Sequence, residues 1–149
     1  ELDDAAITAQ VKAALLDHKD THATKINVGT YLGIVQLSGF VSSEAEKATA
    51  ERIARDIKGV KQVRNSIALH PSTSVGTKLD DSVLTGKVKA ALMDAADVKS
   101  GQINVETEGG IVQLSGFVTG EGMKQRALKI AGDVTGVKRV DDALIVKPR

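Results

Sequence analysis

The sequence predicts an α+β chain made of two tandem αββαβ domains, each a three-stranded mixed sheet with two helices on one face. Three observations predict it. The octapeptide Ile34-Val35-Gln36-Leu37-Ser38-Gly39-Phe40-Val41 returns unchanged as Ile111-Val112-Gln113-Leu114-Ser115-Gly116-Phe117-Val118. The same offset then holds along the whole chain without a gap. Leu2-Asp3-Asp4 maps on Leu79-Asp80-Asp81, Val11-Lys12-Ala13-Ala14-Leu15 on Val88-Lys89-Ala90-Ala91-Leu92, and Gly59-Val60-Lys61 on Gly136-Val137-Lys138. Finally, apolar residues inside each copy switch between helical and extended spacing. Two copies are too few for a solenoid. The reading is two domains, residues 1–71 and 79–149, joined by a Ser/Thr/Gly-rich linker at 72–78.

The first helix of each copy opens at a good N-cap, Asp3 or Asp80, with Leu2 or Leu79 placed to staple onto Ile7 or Leu84. Ile7, Val11, Ala14 and Leu15 follow helical spacing, as do Leu84, Val88, Ala91 and Leu92. Ile26-Asn27-Val28 and Ile103-Asn104-Val105 alternate as short strands. Gly29 to Gly33, and Glu106 to Gly110, read as Gly-containing hairpin connections.

The octapeptide is the second strand. Val35, Leu37 and Val41 share one row with Gly39, and Ile34, Gln36, Ser38 and Phe40 share the other. A glycine in the apolar row predicts close approach of a helix backbone. Ser43-Glu44-Ala45-Glu46 has capping-box spacing and opens a second helix. Ala50, Ile53, Ala54 and Ile57 form its buried face, matched by Ala127, Ile130, Ala131 and Val134, and Gly59 and Gly136 sit where C-terminal caps belong. Val63, Ile67 and Leu69, or Val140, Leu144 and Val146, place one face of a closing strand, reached by a right-handed crossover.

Composition narrows the function. No cysteine is present, so disulfides, zinc-thiolate sites and thiol nucleophiles are excluded. A formal net charge of +1 gives no global pull toward nucleic acid or anionic membrane, and 2% aromatic residues leave base-stacking platforms and membrane-interface belts poorly supplied. No apolar run reaches the ~18 residues that span a bilayer. The chain opens at Glu1 with no charged-then-apolar leader, which fits a processed or trimmed start.

Motifs with chemical content are few. Asp3-Asp4 and Asp80-Asp81 could be acid/base pairs, but their place at helix starts favours capping. His18 and His22 have the i,i+4 spacing of metal ligands, yet the second copy carries Ala95 and Lys99 there, so no metal site is assigned. Ser38 and Ser115 precede glycines inside a strand rather than at a nucleophile elbow. No catalytic residue and no cofactor follow from these patterns. Lys58, Lys61 and Arg64, with Lys138 and Arg139 in the second copy, cluster at the start of the third strand. They form either a solvated face or a contact for anionic lipid.

The first-helix run Leu2 to Leu15, the strand Val35 to Val41, the closing segment Ile57 to Asn65, and their matches Leu79 to Leu92, Val112 to Val118 and Val134 to Asp142 together resemble the BON domain. That is a module of bacterial osmotically inducible and outer-membrane-associated proteins. The resemblance makes the octapeptide the central strand of each BON-like domain. It implies a periplasmic, non-enzymatic envelope-stress protein binding phospholipid or envelope proteins. In some relatives lipid binding involves the first helix of the second domain, which here offers Lys87, Lys89 and Met93 and no aromatic.

The expected head-group contacts are therefore Lys87, Lys89, Lys138 and Arg139, and an anionic vesicle assay checks them. The row Ile34, Gln36 and Phe40, with Ile111, Gln113 and Phe117, is the expected interaction surface, for the other domain or for a partner. If residues 1–75 alone melt with the full chain, the two repeats do not support each other. A holdase for unfolded envelope proteins is the alternative, and Phe40→Ser with Phe117→Ser should abolish it. A potassium sensor is a further alternative, requiring a melting shift that sodium does not reproduce. Oligomeric state is left open.

Overall fold

Asp3 stands in extended conformation, and its Oδ1 accepts the Ala6 N–H at 2.8 Å, which starts the first helix, α1 (Asp4–Asp17). The computed structural model describes residues 3–18, 26–70, 81–98 and 100–147. Leu2, Asp80, His22, Pro71, Pro148 and the linker 72–78 lie outside them, so the staple, the second N-cap and the linker expected there fall beyond the description. The chain divides into two units, Glu1–His70 and Pro71–Arg149.

In the first unit Ile7, Val11 and Leu15 recur every fourth residue and are buried. Strand β1 (Ile26–Tyr31) pairs antiparallel with β2 (Ile34–Val41), from Ile26 opposite Gly39 to Tyr31 opposite Ile34. Only Leu32 and Gly33 remain for the turn, both at positive φ (51° and 82°). That pair of signs marks the primed turn whose twist matches a hairpin. The connection is thus shorter than Gly29 to Gly33: the strand runs on through Gly29, and the turn is carried partly by a leucine.

Helix α2 (Glu44–Arg55) starts with a complete capping box. Ser43 Oγ accepts the Glu46 N–H, and Glu46 Oε2 accepts the Ser43 N–H in return. Asp56, not Gly59, is the C-terminal cap, and Gly59 closes the following turn. The chain then crosses to β3 (Gln62–Asn65) and β4 (Ala68–Leu69), both parallel to β2.

The octapeptide is therefore central, with an antiparallel neighbour on one side and a parallel one on the other. Val35, Leu37 and Val41 pack with Ile7, Val11 and Leu15 of α1, Ala50 and Ala54 of α2, and Ile67. Both helices thus cover one face of a mixed sheet. Leu69 departs from the expected row and is exposed.

The second unit repeats the plan with α3 (Asp81–Asp94), a 3-10 turn at Ser100–Gln102, β5 (Asn104–Glu108), β6 (Ile111–Val118), α4 (Glu121–Gly132) and β7 (Arg139–Val146). Its hairpin turn is Gly109-Gly110 rather than the longer Glu106 to Gly110. β6 pairs with β7 over all eight residues in parallel. Val112, Leu114 and Val118 face Val88, Leu92, Ala127, Ala131 and Leu144 in the core.

The glycine of the octapeptide has a different neighbour from the one expected. A Cβ on Gly116 would lie 2.2 Å from the carbonyl oxygen of Gln102. The close approach is made by the 3-10 turn that leads into β5, not by a helix of the packed layer.

Candidate functional site

Acidic residues in the first turns of α1 and α3 do more than complement the helix dipole. Asp4 accepts the Leu32 and Gly33 N–H groups at 2.8 and 3.0 Å, and Asp81 accepts those of Gly109 and Gly110 at 3.0 and 3.1 Å. Each carboxylate grips both amides of a hairpin turn, a charge-assisted and directional attachment. One turn further along, Thr8 Oγ1 meets Thr30 Oγ1 at 2.7 Å, and Thr85 Oγ1 meets Thr107 Oγ1 at 2.8 Å. Two polar clamps thus align each first helix along the first strand of its hairpin. Asp3 is a cap as expected, whereas Asp4 and Asp81 are turn anchors.

This alignment sets the far end of α3 over the entry to β5. A groove of about 290 Å³ opens there, lined by Lys89, Leu92, Met93, Gly101, Ile103 and Val105. Leu92, Ile103 and Val105 are buried and form its floor. Met93 stands at the rim with 72% of its surface exposed. Lys89 lies one helical turn before Met93, so ammonium and thioether share one side of α3. Among the described residues no carboxylate is within ion-pair distance of Lys89. The arrangement offers a cation and a flexible apolar side chain side by side above an apolar floor.

The four basic residues expected to contact head groups do not form one patch. Lys87 precedes Lys89 by two residues, roughly 200° around the helix, and points away from the groove. Lys138 and Arg139 begin the closing segment of the unit, where the Lys138 N–H donates to the Gly110 carbonyl at 2.9 Å. That is beside the hairpin turn held by Asp81. From Asp81 to Met93 the helix rises about 18 Å, so Lys138 and Arg139 serve the opposite end of α3. The groove residues Gly101, Ile103 and Val105 were missed from sequence as part of a site, although the alternation Ile103-Asn104-Val105 placed two of them on one strand face.

The row expected as an interaction surface, for the other domain or for a partner, is largely buried. Gln36, Ser38 and Phe40 are buried, as are Gln113, Ser115 and Phe117, while Ile34 and Ile111 are half-buried. Neighbours within each unit contribute to the cover. Gln36 Nε2 donates to Ser66 Oγ at 3.3 Å, Gln113 Nε2 donates to Asp141 Oδ2 at 3.1 Å, and the His70 ring stacks on Phe40 with centroids 6.4 Å apart. Period two reported polarity here, and hydrogen-bonded polar groups can be buried.

A larger cleft of about 580 Å³ lies in the first unit between Asp3, Asp4, Ile7, Leu32, Gly33, Gly59, Val60 and Lys61. Its carboxylates are already engaged, Asp3 by the helix start and Asp4 by the turn. His18, the described half of the histidine pair, follows the last residue of α1, and its N–H donates to the Leu15 carbonyl.

The sequence pattern of the BON domain matches residues 3–71 and 80–148. Over 148 residues the chain is 40% identical to osmotically-inducible protein Y of Escherichia coli, covering 98% of this chain and 74% of that protein. It is 32% identical over 141 residues to outer membrane lipoprotein DolP of Haemophilus influenzae, covering 94% and 72% respectively. Among solved structures, CdsD, a structural protein of the type III secretion system of Chlamydia trachomatis, matches with a TM-score of 0.41 at 15% identity. That match covers 99% of this chain and 65% of CdsD, so the chain spans a little under two thirds of that length.

Proposed function

The chain belongs to the BON-domain family, and from that premise we propose that it is a non-enzymatic, periplasmic envelope-stress module that docks on anionic phospholipid surfaces. The contact is the groove at the far end of α3. One observation carries the reading: Lys89 and the exposed Met93 occupy one side of the helix above the floor of Leu92, Ile103 and Val105. An ammonium suits a lipid phosphate, and an unbranched thioether suits the uneven head-group boundary just beneath it. Two similar proteins support the setting, one named as osmotically inducible and one as an outer membrane lipoprotein. Lys138 and Arg139 are a second electrostatic contribution at the other end of the unit.

The test is co-sedimentation with phosphatidylglycerol-containing vesicles against pure phosphatidylcholine. Binding to the anionic vesicles only, weakening with salt, is expected. Lys89→Glu with Met93→Ser should reduce it while leaving the melting profile unchanged. An absence of pelleting at low salt would end the lipid reading.

A further inference from the structure

Position by position, the residues of the α3 groove have equivalents in the first unit. Lys89, Leu92 and Met93 correspond to Lys12, Leu15 and Leu16, and Ile103 and Val105 to Ile26 and Val28. The environments repeat as well as the residue classes. Leu15 is 1% exposed and Leu92 1%, whereas Leu16 is 67% exposed and Met93 72%. Ile26 and Val28 are buried as Ile103 and Val105 are. The position matching Gly101 is Thr24, outside the described residues.

Two features of this rim have no explanation in the fold. Some of the polar residues kept between the copies do structural work: Asp4 and Asp81 hold turns, and Thr8 and Thr85 clamp strands. Lys12 and Lys89 are exposed and make no ion pair among the described residues. Leu16 and Met93 are large apolar side chains turned to solvent at the same place, although burial is the rule for such groups in this chain. Each lies four residues after its lysine, on the same side of the helix. The acidic neighbours Asp17 and Asp94 sit about 100° further round the axis and leave that side cationic.

We infer that the first unit carries a second docking point for an anionic bilayer, formed by Lys12 and Leu16 at the end of α1, equivalent to that of Lys89 and Met93. The inference rests on the lipid reading proposed above. Its chemistry is the same, an ammonium for a lipid phosphate and an aliphatic side chain for the interface. Where both contacts reach the same vesicle, two weak contacts on one chain make retention far stronger than either alone.

The experiment compares four full-length chains on vesicles of equal parts phosphatidylglycerol and phosphatidylcholine: wild type, Lys12→Glu with Leu16→Ser, Lys89→Glu with Met93→Ser, and all four changes together. Each pair of changes is expected to weaken binding about tenfold or more, and the combination to abolish it. If the Lys12/Leu16 pair lowers the melting temperature, Lys12→Gln alone is read instead, with a loss of at least threefold expected. A first-unit variant that binds within twofold of wild type, while the second-unit variant fails, overturns this inference and leaves the α3 reading intact. Wild-type chain that does not pellet overturns both.

Discussion

Replacing Gly116 by alanine should be among the most damaging single-methyl changes in the second unit. Gly116 has φ +120°, a region that L side chains rarely adopt, and its Cβ would stand 2.2 Å from the Gln102 carbonyl oxygen. The backbone conformation alone costs about 1–3 kcal/mol for a residue with a Cβ. Relieving the overlap needs roughly 1 Å of backbone movement against the start of β5, and overpacking of this kind costs a further ~1–3 kcal/mol. The total is about 4 kcal/mol, a large part of the ~5–15 kcal/mol that holds a domain together.

For a domain of this size about 4 kcal/mol corresponds to a fall of at least ~15 °C in melting temperature. Two units need not melt as one, so the assay is amide exchange read separately on peptides of each unit during a thermal ramp. Gly86→Ala is the internal control. Gly86 lies in α3, and a Cβ there would meet nothing within 4 Å, so alanine should stabilise the unit by about 0.5–1 kcal/mol. A Gly116→Ala chain whose second unit melts within ~3 °C of wild type would refute the steric argument.

The polar clamps give further expectations. Asp81→Ala leaves the Gly109 and Gly110 amides without their acceptor and should cost about 1–3 kcal/mol, with faster exchange at those two amides in an NMR experiment. Thr85→Val and Thr107→Val should each cost about 1 kcal/mol in urea unfolding, and the double variant less than their sum, because both remove one hydroxyl pair. Ser43→Ala should cost the first unit about 1 kcal/mol, whereas α4 starts at Gly120 without a side-chain cap, so Gly120→Ala should cost less. Asn65→Asp should cost about 1–2 kcal/mol. Asn65 Nδ2 donates to the Lys47 carbonyl and to Glu51 Oε1, both at 3.1 Å, and a carboxylate there would face two acceptors. The reverse change, Asp142→Asn, loses only a partly exposed pair with Lys124 at 3.4 Å and should stay within ~1 kcal/mol.

Most of the fold was legible because its signals are local and repeated. Ser43 and Glu46 sit at the one spacing that lets each satisfy the other's backbone, so the start of α2 could be placed to the residue. Ile7, Val11 and Leu15 announce a buried stripe without reference to anything distant. The hairpin turns were harder. Gly29 and Gly33 are equally plausible turn residues in sequence, but the register of β1 on β2 decides between them, and register is a property of the pair. Leu32 then occupies a left-handed position that its type does not advertise. The neighbour of Gly116 was misread for a related reason: a glycine signals that something comes close, and its identity depends on how the preceding turn returns.

The candidate site shows the same limit in sharper form. Lys89 and Met93 were pointed to by the family resemblance, which directs attention to the first helix of the second domain, and not by a signal in that helix itself. Whether they act together depends on the groove lining supplied by Gly101, Ile103 and Val105, which the chain reaches only after leaving the helix. Lys87 looked equivalent to Lys89 in sequence and is separated from it by helical geometry alone. Gln36 and Gln113 show the limit in another form. Alternation with Val35, Leu37, Val112 and Leu114 placed them on a candidate interaction row, because a period-two pattern records which residues share a face rather than what each amide bonds. Their amides reach Ser66 and Asp141, which are 30 and 28 residues downstream and come alongside through the parallel third strand. A client-binding role for that row would require those buried groups to be uncovered first. The groove at the end of α3 requires no such step, since Met93 already stands in solvent. That difference in what must be undone, more than any difference in residue type, favours the helix end over the sheet face for the lipid contact proposed above.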